Sequence, residues 1–112
     1  MKFAKWTFLL AGIYGVLVLV PMYFRRAPAE HPEFFYGFIG VALAWQVLFL
    51  IMSRDPVRLR PAMLPSILEK LAFGIPAIVL YAQGRIERDM FAGGILDLVL
   101  AVLFFMAWRR TA

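Results

Sequence analysis

Four long apolar runs, each bounded by charge, constrain this chain more than any other feature. They are Trp6 to Phe24, Phe34 to Met52, Leu64 to Gln83 and Phe91 to Trp108, which is 19, 19, 20 and 18 residues. A helix rises about 1.5 Å per residue, so each run covers roughly 27 to 30 Å, the thickness of the hydrocarbon core of a bilayer. A chain of 112 residues that is 63% hydrophobic and only 17% charged cannot hide such an apolar excess in one core facing water. The pattern predicts an all-α integral membrane protein, an antiparallel four-helix bundle forming a single domain over residues 1–112. Short connections make consecutive helices antiparallel neighbours.

The first run has a competing reading as a signal peptide, since Lys2 and Lys5 make a basic start and Ala27-Pro28-Ala29 imitates a cleavage site. Its apolar stretch is too long for a signal core, Arg25 and Arg26 stand before the supposed site, and Pro28 adjoins the bond to be cut. The spanning reading is preferred. Between the second and third runs, Asp55-Pro56 pairs an N-cap residue with a proline at the first helical position. It predicts a single amphipathic surface turn through Arg60, stopped by Pro61.

The chain has no cysteine, which excludes disulfides, thiolate metal sites and thioether haem attachment. Its net charge of +5 would suggest nucleic acid in a soluble protein. Here the basic residues sit at the ends of apolar runs, where they anchor to lipid head groups and set topology, so no nucleic-acid partner is expected. Lys2, Lys5, Arg54, Arg58, Arg60, Arg109 and Arg110 fall on one side. Arg25, Arg26, Arg85 and Arg88 fall on the other, interleaved with Glu30, Glu33, Glu87 and Asp89. The asymmetry places both termini in the cytoplasm, in a multi-pass protein of the bacterial inner membrane.

The polar residues inside the runs are the candidate site: Gln46, Glu69, Lys70 and Asp97, with Tyr14 and Tyr81 as possible partners. Counting from the run ends puts Glu69, Lys70 and Gln46 about 8 to 9 Å from the cytoplasmic boundary and Tyr14 at about 12 Å. Asp97 falls about 9 Å from the opposite boundary. Ser66, Lys70, Gly74, Ala77 and Tyr81 share one helical face, as do Gly93, Asp97 and Ala101. Small residues permit close approach, so both stripes should face the bundle. Side chains lean toward the N-terminus of their helix, which brings Tyr81 and Asp97 together across antiparallel helices. A hydrogen bond from the Tyr81 hydroxyl to Asp97 is expected, with Gln46 and Tyr14 meeting the Glu69–Lys70 level.

Plainer alternatives stand beside these. Glu69 and Lys70 can snorkel to the interface. Asp97 can lock the bundle through a hydrogen bond as readily as handle a proton or ligand, and Gln46 can be interhelical glue. Pro76 should kink the third helix by freeing the Ala72 carbonyl; Pro21 marks the end of the first. Ala11, Gly12 and Gly15, like Gly37, Gly40 and Ala44, offer small faces for packing within the bundle or between copies in a homo-oligomer. His31 sits alone on a proline-rich loop, a solvated position rather than a metal site. No metal or cofactor is expected, no internal repeat is visible, and no residue pattern names a small-molecule ligand.

In length, number of spans and possession of an intramembrane acid, the chain resembles the small multidrug resistance transporters, dimers built around a glutamate in the first helix. Trp6 to Phe24 holds no acid, so that likeness is architectural. A nearer resemblance is to small four-helix bacterial membrane proteins of unassigned activity, similar in general look to DoxX-like families. It is carried by His31-Pro32-Glu33-Phe34-Phe35-Tyr36-Gly37, Ala44-Trp45-Gln46, Arg54-Asp55-Pro56-Val57-Arg58, Leu68-Glu69-Lys70 and Leu96-Asp97-Leu98. The resemblance implies the fold and no chemistry. The reading is therefore a non-enzymatic membrane protein with a structural or interaction role. The alternative is a proton-coupled carrier or channel, with Asp97 titrating, Tyr81 bonded to it, Glu69 and Lys70 as a charge relay and Pro76 as hinge.

Overall fold

The computed structural model describes residues 2–25 and 27–111. It holds four long helices, α1 (Lys2–Tyr23), α2 (Pro32–Arg54), α3 (Met63–Ala82) and α4 (Arg88–Arg110), with a 3-10 turn at Arg60–Ala62. All four are long and apolar enough to cross a membrane. Each reaches to or past at least one edge of its apolar run, because a helix satisfies its backbone groups internally and polar residues can carry it onward at the ends. Helix starts and stops follow local chemistry. Pro32 occupies the first turn of α2 beside Glu33, and Asp89 opens α4, which closes on Arg109 and Arg110; acids at the start and bases at the end both favour the helix dipole. At the end of α3, Gly84 takes φ +70°. The Gly84 amide donates to the Tyr81 carbonyl and the Arg85 amide to the Leu80 carbonyl, at 2.9 and 2.8 Å, a paired closure that favours glycine.

The Asp55 turn forms as read: its carboxylate accepts from the Arg58 amide at 3.3 Å, and the Leu59 amide donates to the Asp55 carbonyl at 3.1 Å. Pro61 does not stop the chain there. It sits inside the 3-10 turn, which runs directly into α3, because proline lacks only an amide that the first turn of a helix does not use. Pro76 likewise lies within an unbroken α3, and Pro21 within the last turn of α1.

The helices are antiparallel and assemble as two hairpins. α1 packs chiefly on α2 and α3 on α4; the hairpins meet mainly along α1 and α4 and only sparsely along α2 and α3. Both hairpins close through the same contact. A Cβ at Gly12 would lie 2.7 Å from Leu50 Cδ2 and 3.1 Å from the Gln46 carbonyl; at Gly74 it would lie 2.7 Å from Leu98 Cδ2 and 3.1 Å from the Gly94 carbonyl. In each, a glycine admits a leucine from the partner helix and the helices approach to backbone contact. A correspondence invisible in the sequence thus exists in space.

The half of the bundle holding the termini contains a core shared by all four helices: Ala4, Phe8 and Ala11, Phe49 and Met52, Met63, and Phe104 with Ala107. Phe8 stacks on Phe104 at 4.3 Å between ring centroids, and Phe49 meets Phe104 edge-on at 5.0 Å. The other half has only a smaller cluster of Leu19, Ile39 and Ala42 between α1 and α2. At the terminal end, Arg60 ties the 3-10 turn to α4, donating from Nε to the Trp108 carbonyl at 2.9 Å with its guanidinium 4.5 Å over the Trp108 ring.

Candidate functional site

Above the aromatic core lies an ionic cluster centred on Lys70. Its ammonium is 3.6 Å from Glu69 Oε1 and 3.7 Å from Asp97 Oδ1, and it stands 5.1 Å over the Phe49 ring. Lys70 is only 4% exposed, and both carboxylate side chains are largely enclosed. Three helices therefore surround one cation: α3 carries Lys70 and Glu69, α4 supplies Asp97 and α2 supplies the ring.

The depth follows from the helices. Asp97 is nine residues after Arg88 and thirteen before Arg110, about 14 and 20 Å from the ends of α4. Lys70 is seven residues into α3, about 10 Å. Levels that sequence counting set in opposite halves are joined: α3 and α4 are offset so that Gly74 meets Gly94 and Leu98, which sets Asp97 within about one helical turn, 5.4 Å, of Lys70, a span that a lysine stem bridges. Nor does Lys70 snorkel: its head is directed inward, held by two opposite charges and a π-face.

The energetics of such a cluster are asymmetric. Removing each ion from water costs several kcal/mol, and an ion pair near 4 Å returns about 4 kcal/mol at an effective dielectric constant of 20. The intact cluster is roughly balanced. Removing Lys70 would leave two acids facing one another across the α3–α4 interface with no compensation.

The expected Tyr81–Asp97 hydrogen bond does not form. Tyr81 instead stacks on Phe91, with ring centroids 4.1 Å apart and planes 20° apart, at the far end of the α3–α4 hairpin. Gly74 packs at the level of Gly94 and Leu98, so Tyr81, seven residues further along α3, lies about 10 Å beyond that level toward the turn and away from Asp97. Gln46 also departs from expectation. It is buried, but its Nε2 donates to the Ala42 carbonyl of its own helix at 2.9 Å, and its amide packs into the space left by Gly15. Among the described residues its Oε1 has no hydrogen-bond partner. Tyr14 lines a groove between α1 and α4 beside Leu96, within electrostatic range of Asp97, and so approaches the cluster from the Asp97 side.

The small-residue faces divide. Gly12 and Gly15 are buried against α2 and Ala11 is buried in the shared core, whereas Gly37 and Gly40 have nothing within 4 Å of a built Cβ and, with Ala44, face outward. His31 faces Glu33 at 3.8 Å on the exposed loop, and no group of three or more potential metal ligands exists among the described residues.

Two features escaped sequence reasoning: the role of Phe49 and the Lys70–Asp97 pairing. The second had a signal. Lys70 is the one basic residue within the four apolar runs, and an intramembrane cation seeks an acid on another helix. No protein-family model, curated protein or solved structure matches the chain.

Proposed function

We propose that this chain is one of the small four-helix proteins of the bacterial inner membrane, with both termini in the cytoplasm and a structural or interaction role rather than a catalytic one. Its intramembrane ions act as a clamp. The observation that carries this reading is the enclosure of Lys70 by two carboxylates and an aromatic ring, an arrangement that spends each charge on another part of the same chain. A clamp of this kind sets the rotation and register of α3 against α4, since only one alignment pairs the charges. The outward face of Gly37, Gly40 and Ala44 is where a second copy or another helix would approach.

One observation favours the second reading, a proton-coupled carrier or channel: two carboxylates share a single ammonium, so the cluster has an acid in excess near mid-span. The two readings separate on one variant. Asp97→Asn in liposomes abolishes proton-linked flux and keeps the fold if the carrier reading holds. The clamp reading predicts no flux in the natural protein and a lowered unfolding temperature in the variant. A topology reporter fused at the C-terminus and found outside the cytoplasm would refute the orientation.

A further inference from the structure

The α1–α4 groove has a volume of about 600 Å3. Its walls are apolar, with Trp6, Leu10 and Tyr14 from α1 and Leu96, Leu100 and Leu103 from α4. From Lys2 to Tyr14 it follows twelve residues of helix, about 18 Å, against about 15 Å for one leaflet of the hydrocarbon core. The slot is as long as one leaflet is deep.

Its mouth is basic. Lys2 lines the groove, and Arg110 holds its guanidinium 4.6 Å from the ring of Phe3, another wall residue. Lys5 and Arg109 stand at the same end, and all four are exposed. Among the described residues no acid lines this groove; the acid at the same end of the bundle, Asp55, lies past the end of α2 between Arg54 and Arg58. A second groove of about 610 Å3, along the C-terminal end of α2 and the turn after it, also holds two arginines, Arg54 and Arg58, but Asp55 lies between them. The charge at that mouth is partly cancelled, which makes it an internal control.

We propose that the α1–α4 groove is a binding site for an anionic phospholipid of the leaflet facing both termini. One acyl chain lies along Trp6, Leu10 and Leu100, and the phosphate group meets Lys2 and Arg110. The proposal rests on the placement of the helices in a bilayer and not on the role of Lys70. Basic residues near an anionic surface each strengthen binding about fivefold, and the groove adds a fixed position for the chain beneath them.

The test uses Trp6 as a reporter in the full chain, with Trp45→Phe and Trp108→Phe removing the other two indoles. The protein is reconstituted in phosphatidylcholine vesicles containing a graded fraction of phosphatidylglycerol, with brominated acyl chains on one lipid or the other. Bromine quenches an indole in contact with it. The expected result is quenching by brominated phosphatidylglycerol at about fivefold lower mole fraction than by brominated phosphatidylcholine, or lower still. Lys2→Ala with Arg110→Ala erases the preference, Leu100→Trp combined with Trp6→Phe reports the same preference from the opposite wall, and Arg58→Ala leaves it unchanged. Equal quenching by the two lipids, or a preference that survives loss of Lys2 and Arg110, overturns the site and leaves only annular lipid. Quenching by neither overturns the membrane placement as well.

Discussion

The two hairpins are built on one contact and filled differently. Aligning Gly12 with Gly74 and Leu50 with Leu98 sets Phe8 opposite Lys70 in the comparison, and Phe49 opposite Asp97. Where the first hairpin brings two phenyl rings to 6.0 Å, the second brings an ammonium and a carboxylate to 3.7 Å. The same crossing therefore tolerates either an aromatic pair or an ion pair. The difference lies in what happens when a partner is lost. A ring deleted from an apolar layer leaves a void, whereas an ion deleted from a pair leaves an unpaired charge, and the second costs more where water is excluded.

The largest effect should come from Lys70→Met, which strands Glu69 and Asp97. Stability, measured by denaturant or thermal unfolding in micelles, should fall by about 3 to 5 kcal/mol. Glu69→Gln, Lys70→Met and Asp97→Leu combined should recover most of that loss, since an apolar replacement of a buried ionic group is often neutral or better. A triple variant as unstable as the single one would mean that shape, not charge, holds the second hairpin together.

Phe8→Ala is the matching break in the first hairpin. It empties the stack on Phe104 and should cost about 2 to 3 kcal/mol, below the 3 to 5 seen in water-soluble cores because the unfolded reference remains in lipid. If it proves as costly as Lys70→Met, the contrast between rings and ions fails.

The crossing itself can be exchanged. Gly15 and Gln46 in the first hairpin correspond to Ala77 and Gly94 in the second, where the small residues lie on both helices. Gly15→Ala alone drives a methyl into the Gln46 amide and should cost about 1 to 3 kcal/mol. Adding Gln46→Gly copies the second hairpin and should recover most of that, short of the roughly 1 kcal/mol that a helical glycine loses. A double variant less stable than Gly15→Ala would show that the hairpins are not interchangeable at this level. Gly40→Ala, on the open face of α2, should leave stability unchanged or raise it slightly.

The smallest loss should be that of Arg60→Ala, which removes the hydrogen bond to Trp108 and the guanidinium over its ring. A loss of about 1 kcal/mol is expected, with local loosening of the C-terminal turn of α4 visible as faster amide exchange.

Much of the fold was legible before any coordinates. The apolar runs locate all four helices to within a few residues, and the Asp55-Pro56 turn forms as read. Helical phase also turned Lys70 and Gly74 inward correctly, since both are buried. The errors came at longer range. Counting residues gives the height of a Cα and not the reach of a side chain, so Lys70 and Asp97 were placed in separate leaflets although the lysine stem joins them. The lean of Tyr81 toward Asp97 took no account of register: Gly74 meets Gly94 and Leu98, so Tyr81 lies about 10 Å nearer the α3–α4 turn, opposite Phe91.

By itself the sequence determined that the chain forms four helices of membrane-spanning length, where they begin and end, and which faces are small or polar. Those properties depend on composition and on a period of 3.6 residues, both of which are local. Only the tertiary structure decided that one lysine gathers both acids of the apolar runs, that Phe49 lies beneath its ammonium, and that two unlike hairpins close through the same glycine–leucine contact. Pairing across helices depends on distances between residues far apart in the chain, and local periodicity carries no information about them.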